Sequence, residues 1–176
     1  GDVTTFQPYG ATYMRDEFHR QSQMAMGQLA PWGKYVHLYI NGTYWGMHNV
    51  TERPNDDFDA SHLGGDASDW DVLSTQTRVV NGNKEAWDQM MAIAEGGLER
   101  DEAYQQIKQY IDIDNFIDAM LVRIWSGDTD WMRSPGEIRS TGSRNKNWYA
   151  ARDRNDGRFV FYAWDVEFGL GKDHGK

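Results

Sequence analysis

The 176-residue chain carries 27 acidic against 18 basic side chains, a formal charge of −9, and it has no cysteine. Its length suits one domain with a real core, and an aromatic content of 14% argues against disorder. The acidic balance disfavours nonspecific binding to nucleic acid or an anionic membrane; the missing thiols exclude disulfides, cysteine nucleophiles and cysteine-based zinc sites; and no apolar run approaches the roughly 20 residues that span a bilayer.

Taken in chain order, Thr12 to Leu29 reads as a helix, with Thr12 as N-cap and Met14, Phe18 and Ala25 near one face. In KYVHLYINGTYWGMHNVTE, Val36, Leu38 and Ile40 alternate with Tyr35, His37 and Tyr39, and Asn41-Gly42 supplies the two left-handed positions of a type I′ turn. The spacing predicts a β-hairpin returning over Tyr44 to Thr51. After Pro54 the chain is acidic and loop-like, with room for one short helix. Helical patterns follow at Lys84 to Glu95, Asp101 to Tyr110 and Asp114 to Ser126. The last carries Phe116, Met120, Leu121, Ile124 and Trp125 at helical spacing, has Asp112 or Asp114 as its cap, and is expected to be the central buried helix. Gly127 to Lys146 reads as irregular. A second hairpin, NWYAARD then RFVFYAW around Asn155-Asp156-Gly157, closes the chain. The fold class is therefore α+β: two antiparallel hairpins with the Asp114–Ser126 helix buried between them.

The familiar motifs fail. There is no GxGxxG, the tail GLGKDHGK lacks the spacing and hydroxyl of a phosphate-binding loop, and the five histidines never take the spacing of a helical zinc pair. The informative carboxylates come late. Asp165 and Glu167, two apart at the end of an apolar strand, would share a face of an extended backbone, where they repel unless a cation lies between them. Mg2+ fits, since it takes one or two carboxylates plus phosphate oxygens; the alternative is a strand end with two exposed acids. Asp128 and Asp130 follow the apolar helix, and Asn145 and Asn147 precede the strand. Phosphoryl transfer can use such a set, one Asp accepting the substrate proton while an Asn and a second Asp hold magnesium. Asp and Asn are also the ordinary occupants of irregular loops.

Four blocks, in order along the chain, carry a resemblance. LYINGTYWGMHNVTERPNDDF resembles the NG-x-Y-x-G…E-R signature of the CotH kinase family, named for spore coat protein H. DTDW, NWYAARD and FYAWDVEFG resemble that family's later Asp, Asn and W-D-x-[DE] blocks, so the likeness runs from about Tyr13 to Gly169. The resemblance implies one domain over 1–176, part of an atypical protein-kinase-like domain that binds ATP and Mg2+ and phosphorylates protein side chains. Asp130 then takes the place of the catalytic Asp, Asn147 that of the metal-holding Asn, and Asp165 that of the metal-binding Asp, with Glu167 as the second acid. Glu52 and Arg53 match the family's Glu-Arg pair near the nucleotide. The segment MRSPGEIRSTGSR lengthens the Asp130–Asn147 interval and keeps Asp128 as a rival, and Glu167 stands where Asp is common. The expected setting is an exported or cell-surface bacterial protein, with the upstream phosphate-binding residues preceding Gly1. The alternative is a noncatalytic surface or coat-assembly module that binds protein or carbohydrate.

Overall fold

Asn41 and Gly42 take left-handed backbone, with φ of 49° and 82°, and close the hairpin expected of them in a computed structural model that describes residues 13–128, 131, 146–155 and 157–170. Its strands, β1 (Gly33–Ile40) and β2 (Thr43–Thr51), pair antiparallel with an irregularity between Leu38 and Tyr39. They form a two-stranded sheet of their own. Ahead of them runs α1 (Arg15–Ala25), shorter than the pattern suggests and capped by Met14 without a side-chain bond. Thr12, the expected cap, lies outside the described residues. The buried face of α1 is also not the expected apolar one: Met14, Phe18 and Ala25 are exposed, whereas His19, Arg20 and Gln23 are buried.

After Pro54, Asn55 caps α2 (Asp56–Leu63) by accepting a bond from the Phe58 amide at 2.9 Å. Two strands that the sequence pattern does not announce then follow, β3 (Trp70–Ser74) and β4 (Arg78–Asn81), before α3 (Glu85–Glu95), α4 (Asp101–Ile107) and α5 (Ile113–Ser126). Asp112, not Asp114, caps α5, and left-handed Gly127 ends it. The second expected hairpin forms as β5 (Trp148–Asp153) and β6 (Val160–Ala163). It belongs to a larger antiparallel sheet of order β4-β3-β5-β6, with β3 paired to both β4 and β5.

Period-two alternation sorts this sheet's side chains into two cores. Leu73, Trp148, Ala150 and Phe161 face α3, α4 and α5, where Trp87 stacks on Trp148 at 5.2 Å. Trp70, Val72, Tyr149, Ala151 and Tyr162 turn the other way and pack with Phe58 of α2. The α+β class thus stands, while the role expected of α5 needs correction. It packs against β6 and α1, burying Asn115, Ala119, Val122, Arg123 and Ser126. It does not lie buried between two hairpins, and part of its apolar face points outward: Ile124 is 68% and Trp125 71% exposed.

Candidate functional site

β6 stops at Ala163, and Asp165 takes a left-handed φ of 54°. The two acids therefore do not end an extended strand as expected. Instead Val166 is fully buried between two exposed acids. Neighbouring helices strap this turn down. The Val166 amide donates to Asp16 Oδ1 at 3.0 Å, Arg15 Nη1 donates to the Glu167 carbonyl at 3.4 Å, and the Leu170 amide donates to the Ser126 carbonyl at 2.6 Å. Beside the turn lies His19, wholly buried, its Nδ1 bonded to the Arg15 carbonyl at 2.5 Å and its Nε2 without a partner among the described residues. Burial holds the His19 pKa down, favouring the neutral ring.

Arg123 organises the other side. Its side chain is 2% exposed, and Nη1 donates to Asp128 Oδ2 at 2.8 Å. Nη2 donates to the Asn147 carbonyl and to the Trp164 carbonyl, the latter at 3.3 Å. One guanidinium thus joins the loop after α5, the entry to β5 and the exit from β6. Burial lowers its pKa, and the carboxylates of Asp128, then Asp16 and Asp165, oppose that shift. Asn147 is itself left-handed (φ 64°), with its amide donating to Thr75 Oγ1 at 3.0 Å.

Among the residues singled out from the sequence, Asn147, the backbone leading into Asp165, and the rival Asp128 therefore meet around Arg123. Glu167 shares the Asp165 turn. Asp130 lies outside the described residues. Glu52 is engaged at the base of the first hairpin, where Oε2 accepts from the Trp32 amide at 2.9 Å and Oε1 meets His62 Nε2 at 3.1 Å; Arg53 beside it is exposed. Arg123, Asp16 and His19 did not stand out in the sequence. The signal for Arg123 was a lone cation in the apolar run DAMLVRIW, and for the α1 pair it was polar residues recurring on one helical face.

The donor chemistry suits magnesium. Asp165, Glu167 and the Asn147 amide offer hard oxygen ligands, and both carboxylates are exposed. Among the described residues no three His, Asp or Glu side chains form a cluster able to cage an ion; a metal held by one or two protein carboxylates and substrate phosphates does not require one. The sequence profile of the family described as CotH kinase protein matches residues 9–176. No curated protein gives a significant match.

Proposed function

The chain belongs to the CotH kinase family, and we propose that it transfers the γ-phosphoryl group of ATP to a hydroxyl of a protein. The supporting observation is the gathering of Asp128, Asn147 and the Trp164–Asp165 backbone around buried Arg123, since phosphoryl transfer depends on fixed positions for a few charged groups. Asp165, Asn147 and Glu167 hold Mg2+ in this reading, and Arg53 faces the nucleotide while Glu52 fixes the hairpin base beside it. Bound magnesium neutralises charge on the phosphates. Asp130 orients the acceptor hydroxyl and takes its proton as the oxygen bonds to the γ-phosphorus; the bond to the bridging oxygen breaks, and ADP leaves with that electron pair. Asp128, closed in an ion pair whose side chains are 2% and 0% exposed, serves as the counter-charge of Arg123. The family resemblance alone supports an exported or cell-surface setting.

Calorimetric titration with ATP, with and without Mg2+, joined to initial rates, tests this. Asp165→Asn is expected to weaken Mg2+-dependent binding as well as turnover. Asp130→Asn keeps nucleotide affinity and loses about 10²–10⁴-fold in rate. Asp128→Asn lowers stability, because it leaves a buried guanidinium without its charge partner. Undiminished Mg2+–ATP binding by Asp165→Asn, or full turnover by Asp130→Asn, overturns the assignment. A second reading, a noncatalytic assembly module, is favoured by the exposed Tyr39, Tyr44, Trp45 and Met47 of the hairpin. Absence of binding heat at millimolar ATP would select it.

A further inference from the structure

We propose that Asp16 is a positioning residue for the turn that carries Asp165 and Glu167, and that through Arg20 it ties this turn to the β1–β2 hairpin. The inference rests on the kinase reading for the turn's purpose. Its geometry stands apart from that reading.

The two oxygens of Asp16 have separate tasks. Oδ1 accepts the Val166 amide at 3.0 Å, and Oδ2 pairs with Arg20 Nη1. The other end of Arg20, a residue 1% exposed, reaches Glu17 Oε2 at 2.5 Å, Asn49 Oδ1 at 2.8 Å and Thr51 Oγ1 at 3.1 Å. A continuous polar chain therefore runs from β2 through Arg20 and Asp16 to the backbone amide between the two acids. The turn needs such a hold. Asp165 takes a left-handed φ of 54°, a backbone setting that Asp, unlike most residues with a Cβ, adopts with the help of local hydrogen bonds. Conformations of that kind persist where their surroundings over-determine them. The Asp16 bond grips the next residue along. Were it lost, the amide of buried Val166 would lack its acceptor, and the turn would relax along with both carboxylates. Groups that orient metal ligands in this way typically change metal affinity by about 10–100-fold when removed.

The test uses the full chain, ATP and Mg2+, with amide hydrogen exchange over residues 164–170 as a readout that needs no ligand. Asp16→Ala is expected to speed exchange in the ligand-free protein and to weaken Mg2+-dependent ATP affinity by about 10-fold, leaving Mg2+-free affinity unchanged. Asp16→Asn retains an oxygen for the Val166 amide but turns an NH2 group towards the Arg20 guanidinium, and is expected to recover part of both. The double variant N49A/T51V leaves Asp16 in place and cuts Arg20 from the hairpin; it should reduce Mg2+-dependent affinity by a smaller factor, about two- to threefold, and it keeps the test open if Asp16→Ala does not fold. Unchanged exchange and affinity in Asp16→Ala, or equal losses in Asp16→Asn and Asp16→Ala, would overturn the positioning role, and an unaltered double variant would overturn the link to the hairpin. Asp165→Asn separates the two failures. If it weakens Mg2+–ATP binding while Asp16→Ala does not, this inference falls and the kinase reading stands; if it binds as wild type while Asp16→Ala still loosens the turn, the kinase reading falls and the hold remains.

Discussion

A single carboxyl group on α2 sets a measurable pH dependence. Asp59 is wholly buried, its Oδ1 accepts the Tyr162 hydroxyl at 2.6 Å, and its Oδ2 finds no partner among the described residues. Burial raises its pKa from 3.8 to about 7, with Asp56 adding to the shift and the Tyr162 bond and His62 opposing it. The folded state thus favours the protonated acid. Stability from this group is full below the unfolded pKa of 3.8, declines as pH rises towards about 7, and levels off beyond, with a slope of up to about 1.4 kcal/mol per pH unit. Asp59→Asn keeps an acceptor for Tyr162 and removes the charge. Thermal melts from pH 4 to pH 8 are expected to show the wild type falling below the variant across this window, the two converging at acid pH. Parallel curves would mean that Asp59 ionises in the folded protein as it does in the unfolded chain.

At the scale of elements, the meeting of α1, α5 and the Asp165 turn depends on Gly169. The requirement is space: a Cβ there would lie 2.7 Å from Ser126 Oγ and 2.9 Å from His19 Nε2. Gly169→Ala must lift the turn or part the helices, and overpacking of this kind costs about 1–3 kcal/mol. Urea denaturation should show that loss, and Ser126→Ala in the same chain should recover part of it by removing the nearer atom. Full additivity of the two changes would rule out the contact. These contacts also mark where the sequence could be read and where it could not. The first hairpin was legible because Asn41-Gly42 fixes its turn and alternation fixes its strands. α5 was legible as a helix through its apolar period, yet that period could not say which face is covered, and its buried side includes Arg123 and Asn115. β3 was hidden, being buried along its whole length with Asp71 as its second residue, so no polar-apolar alternation marks it. In the candidate site, Asp165 and Asn147 were legible by motif. Asp16 and Arg123 were not, because their importance lies in bonds to backbone groups distant in sequence.

Across the whole molecule, the two sheets share no strand, and a polar helix face connects them. The β1–β2 hairpin leaves Tyr39, Ile40, Tyr44, Trp45, Met47 and Val50 exposed, so much of its apolar surface contributes no burial energy. Its ties elsewhere include Arg20 with Asn49 and Thr51, the Tyr35 hydroxyl with the Tyr13 carbonyl at 2.6 Å, and Glu52 with His62. The four-stranded sheet, by contrast, is packed on both faces. The hairpin should accordingly open at lower free energy than the sheet. Arg20→Met keeps most of the side-chain volume while removing every bond to Asp16, Glu17, Asn49 and Thr51. It leaves two carboxylates that are 27% and 12% exposed without their cation, and water entering around them is expected to loosen α1 from the hairpin first. Native-state hydrogen exchange should then show protection falling at least about 10-fold at Val36 and His48 while Leu73 and Ala150 keep theirs, since an opening free energy lowered by about 1.4 kcal/mol or more gives that factor. An equal loss in both sheets would instead show that hairpin and sheet open as one cooperative unit, with Arg20 holding the whole rather than the joint.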